Sequence, residues 1–266
     1  MSKLKVLDLF SGIGGFSLGL ERTGGFETVA FCEIEKFPQK VLKKHWPEVP
    51  IYEDVRELTE AKLTSDGITG IDVITGGFPC QDISAAGKRA GIHEGTRSGL
   101  WSEIVRLVGE LRPSYVIVEN VAALLSGPYE QRGGWFGRIL ADLASLGYDA
   151  EWENIPASAL GAPHRRERVW VIAYTSEVGR LDSRPFQDFD TVEIAKIRVN
   201  APSKGLAYFL SSRLYNGGDF RDHRKDDGLS QFMDRIGACG NSVIPQAPEI
   251  IGHAILEAEH EREAAA

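Results

Sequence analysis

Cysteine is scarce in this chain of 266 residues: Cys32, Cys80 and Cys239 stand far apart, odd in number and without a CxxC pair. That pattern supplies neither a disulfide framework nor a zinc-ligand spacing, which leaves open a thiol kept for its chemistry. Long apolar runs are also missing. No stretch approaches the roughly 20 residues that span a bilayer, and Met1-Ser2-Lys3-Leu4-Lys5 leads into a strand-like segment without the build of a secretory signal. A cytoplasmic protein with no membrane association is expected. Positive charge is short too, since 30 Lys and Arg against 38 Asp and Glu give a net charge of -8. A strongly basic surface is therefore excluded, and any phosphate backbone has to be met by a local patch. Residues 180–235 come nearest to one, with ten basic against nine acidic side chains.

The 42% hydrophobic content is ordinary for a globular chain and sufficient for one substantial core. In the first two thirds, short apolar runs alternate with segments of helical period. Val6–Phe10, Thr28–Cys32, Ile71–Thr75, Tyr115–Glu119 and Val169–Tyr174 read as strands, whereas Phe16–Arg22, Lys36–His45, Leu100–Leu111 and Trp135–Leu146 read as helices. This alternation implies a doubly wound α/β sheet, in which ligands sit beyond the carboxyl ends of the strands. After Tyr174 the periodicity fades into a polar stretch rich in Asp, Arg and Gly. Residues 175–235 are expected to form a small irregular domain, with an unstructured insert as the alternative. Pro248–Arg262 reads as a helix returning to the first domain, so residues 1–174 and 236–266 together make the main unit.

Four segments carry chemistry. The first strand ends in Asp8-Leu9-Phe10-Ser11-Gly12-Ile13-Gly14-Gly15-Phe16, a glycine-rich turn opening a helix, where bare backbone can approach a ligand. Ser17 stands where a dinucleotide-binding GxGxxG has its third glycine, which weakens a nicotinamide reading; a purely structural turn is the alternative. Glu33 follows the second strand at the place from which an acid takes ribose hydroxyls, and Asp54, before Val55, is placed to accept from an adenine amino group or to cap a helix. After the third strand comes Gly76-Gly77-Phe78-Pro79-Cys80-Gln81-Asp82-Ile83-Ser84, whose lone cysteine is set to face the ligand crevice. An arbitrary cysteine is more often a buried filler. Here Glu119-Asn120-Val121 ends the next strand, which should bring a carboxyl group to the same edge, and His164-Arg165-Arg166-Glu167-Arg168, before another strand, supplies clustered guanidiniums for a planar, oxygen-bearing substrate, with a solvated charged turn as the alternative.

Taken in order, these segments resemble the motifs of the DNA cytosine-C5 methyltransferase family, from the DLFSGIGGF loop through GGFPCQDIS, ENV and the arginine segment to a late Gly240-Asn241-Ser242-Val243. The resemblance covers most of residues 4–174 and 236–256. It implies a Rossmann-like S-adenosylmethionine-dependent domain with a small target-recognition domain, residues 175–235, inserted near the C-terminus. It also implies that Cys80 is a nucleophile adding to C6 of a cytosine extruded from duplex DNA, with Glu119 on N3 and the exocyclic amine, Arg168 on O2 and Arg166 in support. S-adenosylmethionine, leaving as S-adenosylhomocysteine, would be held by Phe10, Ser11, Gly12, Gly14, Gly15, Glu33, Ile34, Asp54, Val55, Phe78, Pro79, Leu100, Asn241 and Ser242, without a metal.

Residues 85–98 resemble the family's mobile catalytic loop. Gln81, Ser84, Lys88, Arg89 and Arg97 are the DNA contacts the resemblance implies, and Arg213, Arg221 and Arg224 are candidate readers of guanine. Two departures from the usual pattern are His164, where Gln is common, and Ile34, where a Trp often stacks on adenine. Double-stranded DNA is the expected partner, with a cognate restriction endonuclease beside a monomeric enzyme in the interior of a bacterial, phage or archaeal cell. Some members of the family methylate transfer RNA, but the insert lacks the Cys-Phe-Thr signature that would favour that substrate. A non-catalytic DNA-binding module has no need of Cys80, Glu119 and Arg168.

Overall fold

The computed structural model describes residues 2–79, 100–127, 133–160, 166–175, 178 and 242–265. The cysteine loop from Cys80 onward, Asn241 and the segment expected to form a recognition domain lie outside them.

The strands are β1 (Leu4–Leu9), β2 (Phe26–Cys32), β3 (Ile51–Tyr52), β4 (Val73–Gly76), β5 (Tyr115–Val121), β6 (Tyr148–Pro156) and β7 (Glu167–Thr175). They form one sheet in the order β3-β2-β1-β4-β5-β7-β6. The first five are parallel, and β7 runs antiparallel between β5 and β6. The helices are α1 (Gly15–Arg22), α2 (Lys36–His45), α3 (Glu60–Ser65), α4 (Trp101–Leu111), α5 (Gly134–Ser145) and α6 (Gln246–Ala265). The central strands are buried on both faces, as their unbroken apolar runs require: Val6, Leu7, Leu9, Val73, Ile74, Val116 and Ile117 are all fully enclosed. One core packs Leu63, Trp101, Ile104, Leu107, Ile139 and Leu143, from α3, α4 and α5, on one face. The other packs Phe16 and Leu20 of α1 with Ile250, Ile251 and Ile255 of α6 on the opposite face. This is the mixed α/β architecture with helices on both sides that the alternating pattern implies.

Three elements escape the sequence reading. β3 has two residues and α3 six, too short for either period to register. β6, Tyr-Asp-Ala-Glu-Trp-Glu-Asn-Ile-Pro, places acids at alternate positions of an edge strand whose outer residues face water, so its apolar signal is thin. The antiparallel course of β7 follows from β6, because the β6–β7 connection is short: only residues 157–166 separate them, and Ala157–Leu160 form a single 3-10 turn.

α6 completes the fold against α1. Gly19 is a contact point, where a Cβ would lie 2.2 Å from the Pro245 carbonyl oxygen. Farther along, the hydroxyl of Tyr115, at the start of β5, donates to Glu259 at 2.7 Å, and Arg262 pairs with the same carboxylate at 2.6 Å. Among the described residues, no helix is long and apolar enough to cross a membrane.

Candidate active site

The carboxyl ends of β1, β2, β4 and β5 meet at one edge of the sheet. β1 stops at Leu9 because Phe10 turns into the left-handed region (φ 52°), followed by Gly12 (φ 52°) and Gly14 (φ 85°) before α1 starts. Phe10 is not a glycine, so this turn needs holding in place. Ser11 does so: its hydroxyl donates to the Asp8 carbonyl at 2.6 Å, and its backbone amide donates to the Cys32 carbonyl at 3.2 Å. Gly14 is packed under Trp46, whose ring a Cβ would meet at 2.7 Å, whereas a Cβ on Gly12 would enter open space. The turn thus has a packed side and a free side.

Glu33 closes the far end of this turn. Its carboxylate accepts from the amide of Gly12 at 2.7 Å and from that of Glu35 at 2.7 Å. Burial raises its carboxyl above the ordinary range, opposed by the two amides. Ile34 beside it is 61% exposed. A buried acid, an open glycine backbone and an exposed aliphatic side chain fit a nucleoside with hydroxyls to bind and a flat base to cover. Asp54 is engaged locally, gripped by the Arg56 guanidinium at 2.5 Å, which pulls its carboxyl below the ordinary range. Its carboxylate also accepts from the Arg56 amide at 3.0 Å, a capping bond to the turn that follows. Val55 and Phe78 are buried, whereas Pro79 and Leu100 are half-buried. Ser242 is enclosed, and the next residue presents its carbonyl to Gly15, where a Cβ would approach it to 2.5 Å. The 242–244 segment therefore sits directly against the glycine turn. Cys32 is a structural thiol at the end of β2, pushed up to about 12 by burial and the acids around it.

Glu119 is the charged centre of the opposite half of the edge. It lies across from Trp170 in the β5–β7 ladder, which brings Arg168, two residues earlier on β7, to the same side. Arg168 Nε is 2.8 Å from Glu119 Oε1, and Arg166 Nη2 is 3.9 Å from the same oxygen. Desolvation nevertheless raises the Glu119 carboxyl, outweighing both guanidiniums. A concavity lined by Glu119, Arg166, Arg168, Trp170, Ile155, Leu160 and Ile244 opens beside it. Gly77 borders Glu119 and Phe16: a Cβ there would lie 3.6 Å from Glu119 Oε2.

The geometry brings Glu119, Arg166, Arg168 and the entry to the cysteine loop together. Cys80, Gln81, Ser84, Lys88, Arg89, Arg97, Arg213, Arg221, Arg224 and Asn241 lie outside the described residues. Two contributors passed unnoticed in the sequence. Asn120 donates to the Phe78 carbonyl at 3.1 Å, tying β5 to the turn that precedes Cys80; its place between Glu119 and Val121 was visible, its partner was not. Ser17, which stands where a dinucleotide-binding turn has its third glycine, donates to the buried carboxylate of Asp8 at 2.7 Å.

Residues 4–233 match the family described as C-5 cytosine-specific DNA methylase. The chain belongs to that family. Among curated relatives, it is 37% identical to the type II methyltransferase M2.BsuMI of Bacillus subtilis strain 168 over 64% of this chain and 42% of that protein. Identity is 35% to M1.ScrFI of Lactococcus lactis subsp. cremoris, over 81% of this chain and 53% of that one. It is 33% to M.BsuFI of Bacillus subtilis, over 87% and 53%. The chain spans about half the length of the curated relatives it matches. A solved structure described as a DNA modification methyltransferase encoded within an E. coli prophage superposes with a TM-score of 0.55 at 29% identity, covering 66% of this chain and 48% of that one. A DNMT2 variant of Spodoptera frugiperda, at 21% identity and a TM-score of 0.51, shares the fold. The glycine turn and the Glu119 cluster of this methylase-family chain thus occupy two adjoining parts of one strand edge, a layout suited to joining two substrates.

Proposed function

We propose that the chain is a DNA cytosine-C5 methyltransferase acting on a cytosine flipped out of a specific duplex site through a covalent bond to Cys80. The observation that carries this reading is the buried Glu119 carboxyl with Arg168 at 2.8 Å and Arg166 at 3.9 Å, at the mouth of the turn leading to Cys80. A carboxyl raised by burial beside a guanidinium at 2.8 Å matches the N3 and O2 edge of cytosine.

C5 of cytosine is a weak nucleophile, and a stacked base exposes neither ring face, so extrusion precedes reaction. The Cys80 thiolate adds to C6, forming the S–C6 bond and turning C5 into an enamine-like carbon. Glu119 delivers a proton to N3 as electron density moves into the ring, while Arg168 steadies O2 and Arg166 supports the pair. When bound, S-adenosylmethionine supplies an electrophilic methyl group for C5. A base then takes the C5 proton as the Cys80 thiolate leaves C6, and N3 returns its proton to the Glu119 carboxylate, which restores the ring. On this reading Phe10, Ser11, Gly12, Gly14, Gly15, Glu33 and Ile34 hold the cofactor's nucleoside, and Ser242 with Asn241 closes its amino-acid end. Asp54, Val55, Phe78, Pro79 and Leu100 line the remainder. Lys88, Arg89 and Arg97 meet phosphates, and Gln81 and Ser84 are further DNA contacts. Residues 175–235 read the site, with Arg213, Arg221 and Arg224 as its guanine contacts. The type II names of the relatives support a modification role beside a restriction endonuclease; a monomeric enzyme is part of the same proposal.

The test is methyl transfer from labelled S-adenosylmethionine to genomic DNA by wild type and by Cys80→Ala, followed by bisulfite sequencing. Methylcytosine at one recurring sequence with wild type alone is the expected result. Label in transfer RNA and none in DNA would replace the substrate, and equal label with Cys80→Ala would overturn the mechanism.

A further inference from the structure

Asp8 is fully enclosed, as are the two side chains it meets, Ser17 and Thr75. Its two carboxylate oxygens are divided between different elements: Oδ2 accepts from the Ser17 hydroxyl of α1 at 2.7 Å, and Oδ1 from the Thr75 hydroxyl of β4 at 2.8 Å. Its own carbonyl accepts from Ser11, the residue that holds the left-handed Phe10. Asp8 and Thr75 are register partners across β1 and β4, so the bond reaches only to the neighbouring strand. Two residues beyond Asp8 the glycine turn starts. Two residues beyond Thr75, Gly77 passes Glu119 on the way to Cys80.

A buried carboxyl is an expensive way to fasten a strand to a helix. Burial raises Asp8 to about 7 in spite of both hydroxyls. Apolar side chains of similar volume at these three positions are often neutral or better for stability, so the group is explained by what it orients more than by what it stabilises. We propose that Asp8 is a positioning residue that couples the cofactor turn to the exit of β4 at residues 76–79, which leads to Cys80, its carboxyl fixing the Ser17 end of α1 and the Thr75 end of β4 in one alignment. The inference rests on the proposed methyltransferase reading for the identity of the ligand, and on geometry for the link itself.

A link of this kind predicts effects that cross from one side to the other. Thr75→Val keeps the shape and removes the hydroxyl on the cysteine side; it should weaken S-adenosylmethionine binding by roughly tenfold in calorimetry, the scale of one buried hydrogen bond. Thr75→Ser, which restores the hydroxyl, should recover most of that affinity. Ser17→Ala, on the cofactor side, should change the rate of Cys80 alkylation by iodoacetamide, read peptide by peptide in a mass spectrometer, by several-fold without any ligand present. Thermal unfolding of each variant separates these effects from loss of the fold. Wild-type affinity in Thr75→Val, or a wild-type Cys80 rate in Ser17→Ala, overturns the coupling. If the wild type itself fails to bind S-adenosylmethionine, the proposed function falls, and the Cys80 rates alone decide the link.

Discussion

Glu119 shows how one side chain can be read twice. Its sequence position at the end of an apolar run already aimed a carboxyl group at the ligand edge, but only the packing shows that Arg168 reaches it at 2.8 Å and that desolvation still prevails and raises its carboxyl. A carboxyl in that state can both give and retrieve a proton; an amide of the same shape can do neither. On the proposed methyltransferase reading, Glu119→Gln should lower the single-turnover methylation rate by about 10²- to 10⁴-fold, the range of general acid–base catalysis, while leaving S-adenosylmethionine affinity within about twofold. Quench-flow on a saturating duplex measures the first and calorimetry the second, and a loss in binding alone would assign Glu119 to the cofactor. Asn120, beside it, was invisible as a contributor because its partner, the Phe78 carbonyl, lies 42 residues away in the chain.

The seating of α6 on α1 belongs to the scale of elements; Gly19 tests it, and Gly137, away from that contact, gives the comparison. Gly19→Ala would press a Cβ against the Pro245 carbonyl, which a 2.2 Å spacing does not admit. The gain in helix propensity, about 1 kcal/mol, is outweighed by overpacking of about 1–3 kcal/mol or more. Net destabilisation and a lower urea midpoint are expected. Gly137, in α5, has nothing within 4 Å of its would-be Cβ, so Gly137→Ala should raise the midpoint by the equivalent of about 0.5–1 kcal/mol. A stabilised Gly19→Ala would mean that α6 yields easily. The long central strands and the amphipathic helices were legible for the same reason that they are stable: each repeats its apolar period over several turns or pleats. β3 and α3 were too short to show a period, and the acids of β6 concealed an edge strand. The left-handed Phe10 carried no signal either, since a φ of 52° is held by Ser11 and by strand ends remote in sequence.

Across the whole molecule, a net charge of -8 coexists with buried acids that resist ionisation. Burial raises Asp8 to about 7, and Glu33 and Glu119 are raised as well. A carboxyl raised in the folded state holds its proton longer than in the unfolded chain. The stability it contributes is complete below the unfolded value near 3.8 and is lost as pH rises through about 7. Asp54 and Asp66, lowered by Arg56 and Lys62, act in the opposite sense but at lower pH, where their carboxylates protonate. The chain should therefore be more stable at pH 5.5 than at pH 8. For Asp8 alone the difference is about 2 kcal/mol, from integrating its proton release at ~1.4 kcal/mol per pH unit. Asp8→Asn removes that titration and keeps the side chain's shape. Urea denaturation of wild type and variant at the two pH values isolates the contribution as the difference of differences. If both proteins lose the same stability between pH 5.5 and 8, Asp8 is ionised throughout, and the negative charge is held between Ser17 and Thr75 at neutral pH.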